Sequence, residues 1–176
     1  MYKTIIINWQ GPYELKNRGS KPQQGSIFFQ GGLYLITGIA KHKQKDKIQY
    51  CGIAHETEKH NSYFERFKRH PIIPKIIRNL RVWLGKIDYP KSKARVYLEE
   101  TERILIYFLQ TENNIQKKST PPESLTIINR WYKPNNADWS SEPRFNKPRI
   151  LSDLDDVLSW DGIHWRSANK LSVYED

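Results

Sequence analysis

Apolar and polar positions along this chain fall into short β-type runs separated by polar breaks, with two helical stretches between them. Residues 3–9 (Lys, Thr, three Ile, Asn, Trp) read as a strand, which Gly11 and Pro12 are expected to stop. Residues 16–26 are polar and carry Gly19, Pro22 and Gly25, the composition of a loop. Residues 32–37 and 48–53 are β-rich runs on either side of a charged tip, 41–47, and this arrangement predicts an antiparallel hairpin. Residues 58–70 lack Gly and Pro, and Tyr63, Phe64 and Phe67 share one helical face that Pro71 and Pro74 then close.

Residues 81–87 predict a third strand with a turn at 88–90, and 93–110 the longest helix. A polar loop with Pro121 and Pro122 leads to a strand over 125–131. After a Pro- and Asn-rich stretch, 133–148, two last runs bracket Asp161 and Gly162, a hairpin signal. The pattern predicts a mixed α+β fold in one domain over residues 1–176. Within it, 1–30 form an N-terminal strand and loop, 31–130 the core, and 131–176 a β-rich extension ending in the hairpin.

Composition narrows the class. The chain has 176 residues with 6 Trp and 10 Tyr, an aromatic content that argues against intrinsic disorder. A single cysteine, Cys51, excludes an intrachain disulfide and a Cys-based zinc site, and suits a reducing, cytoplasmic location. No apolar run approaches the ~20 residues that cross a bilayer, so no membrane partner is expected.

Charge narrows it further. Lys plus Arg is 29 and Asp plus Glu 19, a formal net charge of +10. The whole excess lies between Lys41 and Arg95, which hold 15 basic and 5 acidic residues. The last segment, 150–176, runs the other way, with 2 basic and 6 acidic residues. Individual Lys and Arg are ordinary solvated side chains; such segregation points to a polyanion, with nucleic acid the first candidate.

Two helices carry the candidate chemistry. On the longer one, Leu98, Leu105 and Leu109 form a stripe, and Glu102 points within about 40° of Leu98 at 100° per residue. A carboxylate on an apolar stripe needs an ion pair, hydrogen bonds or a metal. It either ends the core and pairs with an arginine or serves as a ligand. On the shorter helix Arg66 and His70 are four apart. They form either a solvated flank or a grip for one phosphate.

These residues, taken in order, resemble the GIY-YIG nuclease superfamily. The likeness runs through Gly32-Leu33-Tyr34, then Tyr50-Cys51-Gly52, then Glu65-Arg66-Phe67-Lys68-Arg69-His70, then Glu102 followed by Leu105 and Ile106. It covers about residues 31–114. Leu33 and Cys51 stand where the family has Ile, both apolar strand swaps that leave each tyrosine on its face. Asn114 best fits the family's Asn, with Asn113 and Asn129 as rivals. The size and the absence of a recognisable second domain look most like the small stand-alone restriction enzymes, less like the excision-repair branches.

The resemblance implies a small, mostly antiparallel three-stranded sheet flanked by helices. It also implies a DNA endonuclease that hydrolyses phosphodiester bonds with one Mg2+ (or Mn2+) per active site. Glu102 would bind the metal and Arg66 would stabilise charge on the phosphoryl oxygens. Tyr34 would act as base or water-orienting phenol, Tyr50 would assist from the neighbouring strand, and His70 would relay a proton or bind phosphate. Asn114 would complete the set. A phenol at its ordinary pKa of about 10 is a poor base, and nearby positive charge lowers it. One of Lys41, Lys43, Lys45 and Lys47 is expected to supply that charge to Tyr34, and with Lys68 and Arg69 to hold the DNA backbone. Trp131, Tyr132 and Trp139 either stack on bases or close the core. Duplex DNA is the expected partner, and a homodimer is expected for double-strand cutting. The alternatives are a binding module without catalysis on the same fold, or a structure-specific or RNA-directed nuclease.

Overall fold

In the computed structural model, residues 3–15, 26–54, 62–91, 95–134, 139 and 151–168 are described. Seven strands form one mixed sheet: β1 (Lys3–Glu14), β2 (Gly32–Ala40), β3 (Lys47–Ala54), β4 (Ile76–Tyr89), β5 (Leu125–Tyr132), β6 (Val157–Trp160) and β7 (Trp165–Ala168). Their order across the sheet is β3-β2-β4-β1-β5-β6-β7. Neighbours run antiparallel except β1 and β5, which are parallel, with Lys3 opposite Leu125 and Gln10 opposite Tyr132. Two helices, α1 (Tyr63–Lys68) and α2 (Arg95–Leu109), complete the architecture. The chain is therefore α+β and dominated by sheet. The three strands expected as a small separate sheet, β3-β2-β4, are one end of a larger one. The N-terminal strand lies at its middle and so joins them to β5, β6 and β7.

The sheet is covered on both faces. Leu33, Leu35 and Cys51 pack with Ile104, Leu105 and Ile106 of α2, whereas Tyr34 and Ile36 pack with Tyr63 and Phe67 of α1. Adjacent residues of β2 thus feed opposite cores, as the period of two requires. This also explains why β2 reads as a nearly unbroken apolar run, with every residue from Gly32 to Ile39 buried.

Several expected boundaries shift. β1 does not stop at Gly11 and Pro12 but runs through them to Glu14. Its pairing with β4 slips between Gln10 (opposite Leu84) and Tyr13 (opposite Val82). One extra residue on β1 makes a bulge there, and a proline without N–H is tolerated where the ladder is already interrupted. The third strand is longer than residues 81–87, because its early residues pair with the end of β2, Ile39 opposite Arg78. α1 begins at Tyr63, where the Ser62 hydroxyl caps the helix by accepting a hydrogen bond from the Glu65 backbone N–H (3.5 Å). The expected beginning of that helix, 58–61, the loop over 16–25, most of 133–148 and the tail beyond 168 lie outside the described residues.

Tryptophans lock the C-terminal part to the centre of the sheet. Trp9 and Trp131 stack at 6.1 Å, and Trp83 meets Trp131 edge-on. The Trp9 indole N–H donates to Asn129 (2.7 Å) and that of Trp131 to the Asp156 carboxylate (2.7 Å). Trp131 therefore closes the core. Trp160 and Trp165 pack with Tyr107, and Trp165 also meets Phe108, seating the terminal hairpin on α2. Among the described residues no helix is long and apolar enough to cross a membrane.

Candidate active site at the free edge of the sheet

Tyr34 is the centre of the candidate site. It is fully buried, and β2 directs its ring toward α1. Tyr50, half-buried on the adjacent edge strand, stacks on it at 6.0 Å. Gly52 makes that approach possible: a Cβ there would come within 2.6 Å of the Tyr34 hydroxyl and 2.7 Å of the Tyr50 ring. The spacing of the second three-residue motif thus has a steric cause.

Two nitrogens aim at the Tyr34 oxygen. Arg66 donates from Nε at 3.3 Å, while the residue as a whole remains exposed. His70 Nε2 lies at 3.1 Å, and the His70 ring meets Tyr50 edge-on at 4.6 Å. On the other side of the ring Nδ1 accepts the Ile72 backbone N–H at 3.2 Å. A neutral imidazole that accepts at Nδ1 carries its proton on Nε2. His70 therefore donates to Tyr34. The tyrosine oxygen accepts two bonds and keeps its own proton for a third.

The electrostatics follow from this packing. Burial, then the neighbouring Tyr50, push the Tyr34 phenol well above its ordinary pKa; the Arg66 bond and charge oppose this without prevailing. Tyr50 is also raised, first by burial and then by the Glu102 charge, with Arg66 and a bond from Tyr34 pulling the other way. His70 is pushed down to about 4 by burial and by Arg66, so its ring is neutral near pH 7.

Two expectations change here. The lysines of the β2–β3 tip do not act on Tyr34; Arg66 is the cation that does. Ala40, where the tip begins, is six residues along β2 from Tyr34, roughly 20 Å at strand rise. Nor does His70 form a phosphate grip beside Arg66, because it is buried with both ring nitrogens engaged.

Glu102 comes from the opposite face. It is 8% exposed on α2, as the stripe predicts, and its charge reaches both Tyr50 and Cys51. The Cys51 thiol is held well above its ordinary pKa by burial and then by Glu102. The expected arginine partner is replaced by a lysine: Lys117 donates to Glu102 Oε2. Periodicity could not find Lys117, which lies in the loop after α2.

That loop runs along the outer edge of β3, which pairs with no further strand among the described residues. Asn114 Oδ1 accepts the Cys51 N–H (3.0 Å), and its Nδ2 donates to the Cys51 carbonyl (2.8 Å). One amide thus supplies the ladder bonds of a missing strand at the residue between Tyr50 and Gly52. Asn113 approaches Gln49 instead, and Asn129 belongs to the Trp9 network, so Asn114 is the asparagine at the site. The phenols, Arg66 and His70 on one face and Glu102 with Lys117 on the other meet around this edge.

The basic residues divide. Lys43 (3.2 Å) and Lys47 (3.3 Å) both pair with Glu112, while Lys41 and Lys45 are exposed and show no carboxylate partner among the described residues. Lys68 and Arg69 are exposed at the end of α1, close in sequence to Arg66. Trp139 donates to Gln30, lies under the Lys86 ammonium and packs against the core cluster that holds Tyr34.

Among the described residues no three His, Cys, Asp or Glu side chains cluster as a metal cage. The donor set at Glu102 is one hard carboxylate. That fits a hydrated Mg2+-type ion, which keeps several waters and takes one or two protein carboxylates. Comparison with known protein families, curated proteins and solved structures gives no match to this chain.

Proposed function

We propose that the chain is a divalent-metal-dependent DNA endonuclease of the GIY-YIG type, acting on duplex DNA in the manner of a small restriction enzyme. The observation that carries this reading is the convergence on Tyr34. Arg66 and His70 both donate to its oxygen, and Tyr50 stacks on it at the edge of β3, where the Glu102 charge is felt. A guanidinium and an imidazole both directed at one phenol oxygen supply more than burial of that hydroxyl requires.

Each residue then has work that its geometry permits. Arg66, bonded to Tyr34 through Nε and exposed as a residue, is placed to bind a phosphate and stabilise charge building on its oxygens. Tyr34, with two donors on its oxygen, gives its own proton to Tyr50 and so orients that phenol. Its raised pKa makes it an orienting phenol before substrate binds. His70 fixes the Tyr34 ring from behind. Glu102 would hold Mg2+ or Mn2+, which when bound would polarise the phosphate and neutralise the leaving oxygen. Asp161, in the turn between β6 and β7, lies at the opposite end of the sheet from β3, so this carboxylate is kept from the proposed DNA face.

The test is cleavage by the full chain. Purified protein with plasmid and Mg2+ or Mn2+ is expected to nick or linearise it, and Glu102→Ala to abolish cleavage while salt-sensitive DNA binding persists. No cleavage of plain, branched or base-modified DNA would overturn the proposal. DNA binding without cleavage would favour the binding-module reading, which the pairing of Glu102 with Lys117 also accommodates. Cleavage of RNA alone would reassign the substrate.

A further inference from the structure

Glu102 already has a cation, and the loop after α2 is shaped to supply it. Gln110 and Lys117 both adopt left-handed backbone conformations, with φ of 48° and 66°. Such conformations are unfavourable for a non-glycine residue and persist only where surrounding contacts enforce them. Here the contacts are visible. The Gln110 side chain donates to the Tyr107 carbonyl (2.7 Å) and the Lys118 carbonyl (3.2 Å), closing the loop at its base. Asn114 ties its middle to Cys51. The result is a closed loop whose Lys117 side chain reaches back to the one carboxylate on the α2 stripe.

The two partners are unequally exposed, the Lys117 side chain at 33% and that of Glu102 at 10%. The ammonium can leave toward solvent, whereas the carboxylate cannot follow it. A nearly buried carboxylate without a counter-cation is unfavourable, so the site favours a cation. A lysine and a divalent ion are therefore alternatives at the same oxygens.

Resting on the metal-binding reading of Glu102, we propose that Lys117 is a tethered competitor of the divalent metal. The ammonium holds the carboxylate until the metal displaces it, and Lys117 thereby sets the metal affinity of the site. Lys117 is thus a positioning residue acting through Glu102. Its displacement leaves an ammonium free in the loop, beside the edge where the phenols lie.

Two measurements on the full chain test this without reference to cleavage. In the first, Mn2+ binding is followed through the electron paramagnetic resonance signal of free Mn2+. Lys117→Met is expected to bind roughly tenfold more tightly or better than wild type, because an uncompensated carboxylate gains more from a cation than a paired one. Lys117→Arg, which keeps the charge, is expected to stay within a few-fold of wild type. In the second, wild-type protein is acetylated with an amine-reactive ester with and without Ca2+, and each lysine is read by peptide mass spectrometry. Lys117 is expected to become several-fold more reactive when metal is bound, while Lys41 and Lys45 do not change. Glu102→Gln is expected to leave Lys117 reactive whether metal is present or not.

The second measurement needs no variant at Lys117 and so stands if Lys117→Met fails to fold. Glu102-dependent metal binding with neither a tighter Lys117→Met protein nor a metal-dependent change at Lys117 overturns this inference alone. Metal binding that is absent, or unchanged in Glu102→Gln, overturns the metal-site reading itself.

Discussion

His70 donates a hydrogen bond to Tyr34, and the direction of that bond is set by Ile72, whose backbone N–H occupies the opposite ring nitrogen. The imidazole must be neutral to accept from Ile72. This makes the site's architecture sensitive to acid. With a folded pKa of about 4 against 6.5 unfolded, the unfolded chain binds a proton that the folded chain refuses. Stability is thus lost as pH falls from about 6.5 to about 4, by roughly 3 kcal/mol from this residue. Urea denaturation across that range is expected to show the loss in wild type and a smaller one in His70→Gln. Equal slopes would remove His70 from the account.

Gly52→Ala is expected to destabilise the fold by about 1–3 kcal/mol, the usual cost of overpacking. The added methyl meets the Tyr34 hydroxyl and the Tyr50 ring at once. Near-UV circular dichroism should report the displaced phenols even where the chain remains folded. An unchanged spectrum with unchanged stability would contradict the tight stacking.

Asn114→Ala removes both bonds to Cys51 and leaves two polar groups of an edge strand unpaired. The expected cost is about 1–3 kcal/mol. Hydrogen exchange should speed selectively at the Cys51 amide, whose N–H has its partner in the Asn114 side chain. A uniform change across β3 would instead indicate global loosening.

The divided lysines predict unequal effects on DNA binding. Neutralising Lys41 or Lys45 should weaken binding and lower the salt slope by roughly one unit for each phosphate no longer neutralised. Glu112→Gln should strengthen it, because Lys43 and Lys47 are then released from their shared carboxylate. Titrations at several salt concentrations read both, and a Glu112→Gln protein with weaker binding would refute the assignment.

Much of this site is legible in the sequence because its signals are local. The alternation in β2 and β3 sets Tyr34 and Tyr50 on one side, and the stripe on α2 singles out Glu102. What is not legible depends on tertiary distance. Nothing in the spacing says that Tyr34 is buried enough to raise its pKa, or that Arg66 reaches its oxygen. Lys117 and the amide clamp of Asn114 come from an irregular loop without periodicity. The extent of the sheet escapes the sequence pattern for the same reason. The pairing of β1 with β5 joins residues far apart in the chain, and no local pattern records it.

That same parallel pairing governs the order in which the molecule can assemble. β1 is made first yet lies between β4 and β5, and its β5 neighbour is made after α2. The hairpin β2–β3, α1 and the residues meeting at Tyr34 all precede α2 in the chain, so their contacts can close early and over short loops. β1 meanwhile must keep its apolar face until more than a hundred further residues have emerged, the kind of long-range closure that slows folding. On this topology the phenol–arginine–histidine cluster belongs to the early-forming part of the chain. The centre of the sheet closes only after α2, once β5 has emerged.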